Sequence, residues 1–147
     1  MPNSEDSSNK LSCNNVCPCT LRISFRVEGV PPKKTKSMWS DVGQSASLIN
    51  LRNQALAAKK NFGVKDCFTS SIKLELETYA RKSDLDSMGD LDNLLGGVCD
   101  GLGAMPTNPT LVPSEWFSTK MSEVPPTIPI LYNDDKIITS IKGTQIN

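Results

Sequence analysis

The chain has 147 residues, the size of one domain with a modest core, and it contains no apolar run long enough to span a membrane. Hydrophobic residues make up 37% and charged residues 22%, within the globular range. Sixteen Lys and Arg balance sixteen Asp and Glu, so the overall basic surplus of a typical nucleic-acid binder is absent, and any attraction for phosphate has to come from local patterning.

Residues 1–20, MPNSEDSSNKLSCNNVCPCT, are rich in Ser and Asn and poor in large apolar side chains, which predicts a mobile tail ahead of a folded domain at 21–147. The opening MPNSEDSSNK has neither the basic n-region nor the apolar h-region of a secretory signal, which points to an intracellular, cytoplasmic protein with reduced thiols. The five cysteines (Cys13, Cys17, Cys19, Cys67 and Cys99) are odd in number, against a disulfide framework. The C-x3-C-x-C spacing of the first three matches no common zinc knuckle, and the chain has no histidine.

In LRISFRVEG, Leu21, Ile23, Phe25 and Val27 alternate with Arg22, Ser24, Arg26 and Glu28, the pattern of a half-buried strand. VPPKKTKSMWSDVG follows as a basic loop broken by Pro31 and Pro32. SASLINLRNQALAAKKNFG carries Leu48, Leu51, Ala55, Ala58 and Phe62 at helical spacing, with Gly63 as a stop. SIKLELETY alternates again, with Ile72, Leu74 and Leu76 turned inward. A second helix is predicted from Asp92, with Leu91, Leu94 or Leu95, Val98 and Leu102 on one stripe and Gly101 and Gly103 ending it. Six prolines make residues 104–132 a long irregular segment, anchored by Trp116 and Phe117, before KIITSIKGTQI closes the chain as a strand. The order strand, helix, strand, helix, loop, strand describes a small α/β or α+β domain with a small mixed sheet and two main helices.

Charge is unevenly spread. Between residues 21 and 60, eight basic residues stand against Glu28 and Asp41, a surplus of six positive charges. Between 61 and 100, four basic residues stand against eight acids, a surplus of four negative charges. A phosphate-handling metal site has this layout, and so does a self-neutralising surface.

Two acidic pairs stand out, Asp90 with Asp92 in GDLDNLLGGVCDGL and Asp134 with Asp135 in NDDK. Taken singly, Asp90 reads as a helix N-cap, Asp92 as a favourable first-turn acid and Asp134 as a turn residue. Taken together they offer hard oxygen donors to a divalent cation, which needs only two or three protein carboxylates. DLDN is not a calcium loop, because Leu94 and Leu95 stand where later oxygen ligands and a glycine belong. A D-x-D pair also occurs in nucleotide-sugar transferases, although no glycine-rich phosphate loop accompanies this one.

The order Asp-Leu-Asp-Asn-Leu, then a helix carrying Cys-Asp-Gly-Leu, then Asp-Asp before an Ile-Ile strand resembles the RusA-type Holliday junction resolvases over about residues 21–147. The upstream strand, the proline-and-lysine loop VPPKK, the helix and the second strand fit the same family. The resemblance implies a RusA-like fold and a homodimeric nuclease of DNA recombination and repair. Such a protein would be cytoplasmic and nucleoid-associated, and would nick four-way junctions with Mg2+ or Mn2+. It implies Asp90, Asp92 and Asp135 as catalytic acids, with Asp134 completing the metal-binding set and Asp100 as a further helix acid. Lys33, Lys34, Lys36 and Lys136 are the expected DNA contacts, and Trp39 is either a base-stacking or a packing residue. One departure concerns the lysine that the family places four residues after its second motif aspartate, because Gly96 occupies that position here. Two rival classes remain: a non-catalytic DNA-binding relative that keeps the fold, and a different metal-dependent enzyme.

Overall fold

The computed structural model describes residues 21–79, 89–106, 112–115 and 123–146. The cysteines at 13, 17 and 19 and the expected anchors Trp116 and Phe117 lie outside the described residues. The elements are α1 (Val42–Asn61), β1 (Ile72–Tyr79), α2 (Leu91–Leu102), a 3-10 turn (Asp135–Ile137) and β2 (Ile138–Ile146). Among the described residues, two helices and a two-stranded parallel sheet make a small mixed α/β protein, the class expected, with one strand fewer than the periodicities predicted. No helix among the described residues is long and apolar enough to cross a membrane.

α1 starts at Val42, three residues before the predicted stretch that opens at Ser45, because Asp41 caps it, its carboxylate accepting from the Gly43 amide at 2.8 Å. It ends in a Schellman arrangement. Gly63, at φ 73°, allows its own N–H to reach Lys60 O and that of Val64 to reach Lys59 O. Leu48, Leu51, Ala55 and Ala58 are buried along one stripe, and Phe62 is half-buried.

α2 packs on small residues against α1 and against the loop that precedes α1. A Cβ at Gly97 would stand 2.0 Å from the Pro32 carbonyl oxygen, and one at Gly101 would stand 2.9 Å from a Leu48 methyl. Gly101 therefore lies inside α2 as a contact residue rather than ending it, and the C-cap is Gly103. Leu94, Val98 and Leu102 are buried on the expected stripe, while Leu95 turns to the sheet and fills the space above Gly143 of β2. This covering helix provides the crossover that parallel strands require.

β1 and β2 pair from Ile72↔Ile138, through one register shift, to Tyr79↔Ile146. A parallel bridge between Phe68 and Tyr132 prolongs the association ahead of the strands. The end of the proline-rich segment is core: Ile130, Leu131 and Tyr132 are buried with Leu51, Ala55, Val98 and Leu102. A second cluster joins Met38, Trp39, Leu48 and Ile49.

The strand expected at 21–28 does not form. The segment tracks β1 through side chains, with Arg22 3.8 Å from Glu75 and the Arg26 guanidinium 5.6 Å from the Tyr79 ring centroid. Leu21, Ile23 and Val27 are half-buried, but Phe25 is exposed, so the alternation is only partly used. Alternation reports which side of a chain faces the protein. It does not supply the backbone ladder that makes a strand.

Candidate functional site

The loop before α1 is tied to both helices by specific bonds. The Lys33 amide donates to the Gln44 side chain at 3.0 Å, and the Lys34 amide donates to Asn93 O at 3.1 Å. These fix Lys33 and Lys34 at different stations. The Lys33 stem lies against Gly89, whose φ of 86° a side chain would not tolerate. Lys34 lies across Gly96 and brings its ammonium 3.8 Å from Asp100. Lys36 is exposed.

At the N-terminus of α2, Asp90 occupies the N-cap position with extended backbone, but its carboxylate makes no capping bond. Asp92 is exposed and accepts from the Asn93 amide at 3.0 Å. Both carboxylates therefore stand at the positive end of the helix dipole, facing solvent.

The other acids gather at the opposite end. A pocket of about 180 Å3 is walled on one side by Cys99, Asp100, Gly103 and Ala104, and on the other by Tyr132, Asn133, Asp134 and Asp135. Asp134 caps the 3-10 turn, accepting from the Lys136 amide at 2.9 Å, and its carboxylate lies 3.9 Å from the Lys136 ammonium. Asp135 and Lys136 are exposed. Burial raises the pKa of half-buried Asp100 above the usual carboxylate range; the Asp135 charge adds to the rise and Lys34 opposes it. Burial also pushes the Cys99 thiol up to about 11 and raises the Tyr132 hydroxyl, which donates to Cys99 O at 2.5 Å. Neither group is therefore an activated nucleophile at neutral pH.

The structure thus brings Asp134 and Asp135 together with Asp100. Asp90 and Asp92 lie eight to ten residues away along α2, about 12–15 Å at the helical rise. Among the described residues, no three His, Cys, Asp or Glu side chains gather as a metal-holding group.

The basic half also resolves differently from its count. Arg52 and Lys59 are buried in the core. Arg22, Arg26 and Lys60 each stand 3.8 Å from an acid, respectively Glu75, Glu28 and Glu123. The part of the surplus that lies against α2 and the turn leading into it is Lys33 and Lys34, with Lys36 exposed on the same loop. Trp39 is 3% exposed, under the Arg52 guanidinium, so it is a packing residue and not a base-stacking platform. A signal for the buried cations lies in the spacing, since positions 48, 52, 55 and 59 share one helical stripe, but counting every cation as surface charge passes over it. No protein-family model, curated protein or solved structure matches the chain.

Proposed function

We propose that the protein is a Mg2+-dependent, structure-specific endonuclease of the RusA type. It would resolve four-way DNA junctions by paired nicks during recombination and repair, as a nucleoid-associated homodimer. The observation that carries this reading is the placement of carboxylates at both ends of α2 with a lysine loop laid along the same helix. Asp90 is left without a capping bond, the Lys33 stem lies against the adjacent Gly89, and Lys34 crosses Gly96 further along the helix.

The donors suit Mg2+ or Mn2+ in kind, being carboxylate oxygens on or beside solvent, and such an ion is satisfied by two protein carboxylates with water in its other positions. Because the two sets lie at opposite ends of α2, one pair alone would hold it, either Asp90 with Asp92 or Asp134 with Asp135. When bound, the ion supplies an activated water and neutralises charge on the phosphate. The chain's own contribution is to place the scissile phosphate. Lys33 and Lys36 supply positive charge along the loop, and Lys136 supplies it beside the acidic pair. Lys34 bears on the departure at position 96. A Cβ there would meet the Lys34 side chain at 2.9 Å, so the glycine makes room for a lysine arriving from the loop. A dimer doubles the lysine loop across the arms of a junction.

The alternative is a non-catalytic DNA-binding relative that keeps the fold. It is favoured by the grouping of the acids in two separate sets and by the contact of Lys34 with Asp100. A synthetic four-way junction incubated with the purified protein decides between the two. The nuclease reading expects two opposed nicks with Mg2+ or Mn2+, binding without nicking in Ca2+, and loss of nicking in Asp92→Asn and Asp135→Asn. Junction binding with Mg2+ but no nick, unchanged in Asp90→Asn, selects the non-catalytic reading. Lys33→Ala with Lys34→Ala should weaken binding and flatten its salt dependence under either reading.

A further inference from the structure

Arg52 is a buried cation whose two terminal nitrogens each donate to two backbone carbonyls. It is fully buried in the middle of α1, with its guanidinium 5.4 Å from the Trp39 ring centroid. Nη1 donates to Gly101 O at 2.8 Å and to Gly103 O at 2.6 Å. Nη2 donates to Pro125 O at 3.3 Å and also to Ile128 O. The first two carbonyls belong to the C-terminal turn of α2, where backbone oxygens lack intrahelical donors and the dipole is negative. The second two belong to the segment that runs through Ile130 and Tyr132 into Asp134 and Asp135.

These two sets of carbonyls support the two walls of the acidic pocket. Gly103 itself lines it, one turn after Asp100. On the far side, Ile128 is followed by Ile130 and Leu131, whose amides donate to Leu102 O at 3.2 and 2.9 Å. We infer that Arg52 is a positioning residue for this pocket: its planar fork ties Gly101 and Gly103 to Pro125 and Ile128, and so sets the separation of Asp100 from Asp134 and Asp135. A lysine could not do the same, since one ammonium on a flexible stem cannot reach two carbonyls on each side in a fixed plane. Burial brings the Arg52 pKa down to about 10, so the fork stays charged at neutral pH. Any catalytic meaning of this role rests on the nuclease reading; the geometry does not.

Amide hydrogen exchange on the full chain tests the inference, comparing the parent with Arg52→Lys. The amides of Ile130, Leu131 and Met105 report the joint, because they bond Leu102 O, Leu102 O and Pro126 O. In Arg52→Lys they should exchange about tenfold faster relative to the amides in the middle of α1, since the loss is local. A uniform acceleration across the molecule, with no excess at these three amides, would mean that Arg52 serves global stability only and would overturn the inference. Should Arg52→Lys fail to fold, Trp39→Leu keeps the guanidinium and removes the ring beside it. The same three amides should then exchange faster by a smaller factor, and an even response again overturns the inference. Junction nicking measured on the same proteins separates the two ideas. Selective exchange in a protein that never nicks keeps Arg52 as a positioning residue and sinks the nuclease reading. Nicking with kcat and KM unchanged in a folded Arg52→Lys, and an even exchange response, does the reverse.

Discussion

The two ends of α2 are built on opposite terms. At the C-terminal end Gly97, Val98, Gly101 and Leu102 are buried, and donors from elsewhere meet its carbonyls: Tyr132 at Cys99, Arg52 at Gly101 and Gly103, and the Ile130 and Leu131 amides at Leu102. At the N-terminal end Asp90, Asp92 and Asn93 are exposed, and the Lys34 amide reaches Asn93 O from the lysine loop. A helix end packed into a core must have its orphan carbonyls satisfied by the protein, whereas an open N-terminus can leave N–H groups and carboxylates to solvent or a ligand. One helix is therefore anchored in the core at one end and presents solvent-facing carboxylates at the other.

Breaking the anchored end should have the largest effect. In Gly97→Ala the new methyl meets backbone, at 2.0 Å from Pro32 O, and backbone cannot swing aside. A loss of about 3 kcal/mol or more is expected in urea unfolding. Gly96→Ala, one residue earlier, meets only the movable Lys34 stem, and about 1 kcal/mol of helix propensity offsets that shift. Equal unfolding midpoints for the two variants would show that the close approach of the loop to α2 is not what holds this end. Tyr132→Phe comes next. It removes the hydroxyl that donates to Cys99 O in a buried site, and about 1–2 kcal/mol should be lost with the fold retained.

Between the ends, Asp100 gives a pH signature. Its folded pKa lies above the ordinary Asp value of about 4. The folded state thus holds this proton more tightly than the unfolded chain does. The stability it contributes is fully present below the ordinary value and is lost as pH rises through the folded value. Asp100→Asn should remove that fall, so urea midpoints of parent and variant should diverge from parallel across the mildly acidic range. Parallel curves would show that Asp100 titrates alike in both states.

The same contrast explains what the sequence could and could not disclose. Both helices and β1 were readable because each carries a periodic apolar pattern that its burial then uses: Leu48, Leu51, Ala55 and Ala58 in α1, Leu94, Val98 and Leu102 in α2, and Ile72, Leu74 and Leu76 in β1; β2 also forms where a strand was expected, although its burial does not alternate. The strand at 21–28 misled because alternation was present without a ladder partner. Arg52 and Lys59 misled because a cation is counted as surface by default, although here backbone carbonyls of distant segments neutralise the cost of burying them. Ile130–Tyr132 sat in a proline-rich stretch with no periodicity, and only long-range pairing with Phe68 and α2 makes it core. The acids at the two ends of α2 were both legible as candidates. Their separation into two sets was not, since it depends on where the 3-10 turn docks.

The open end should yield the smallest effect, and that smallness is informative. A working N-cap is worth about 1 kcal/mol, and Asp41 is one: its carboxylate accepts from the Gly43 amide at 2.8 Å. Asp41→Ala should therefore destabilise by about that amount. Asp90 holds the same position on α2, with a similar extended backbone, yet makes no such bond. Asp90→Ala should change urea stability by less than about 0.5 kcal/mol, the range of an ordinary surface substitution. The two variants differ only in whether the carboxylate is engaged by its own helix, so their difference isolates capping from everything else an exposed Asp does. If Asp90→Ala loses as much as Asp41→Ala, the carboxylate at α2 is a structural cap, and the open end has no acid to spare for a ligand. If it loses almost nothing while junction nicking or Mg2+ binding falls, the residue stands at that helix end for chemistry.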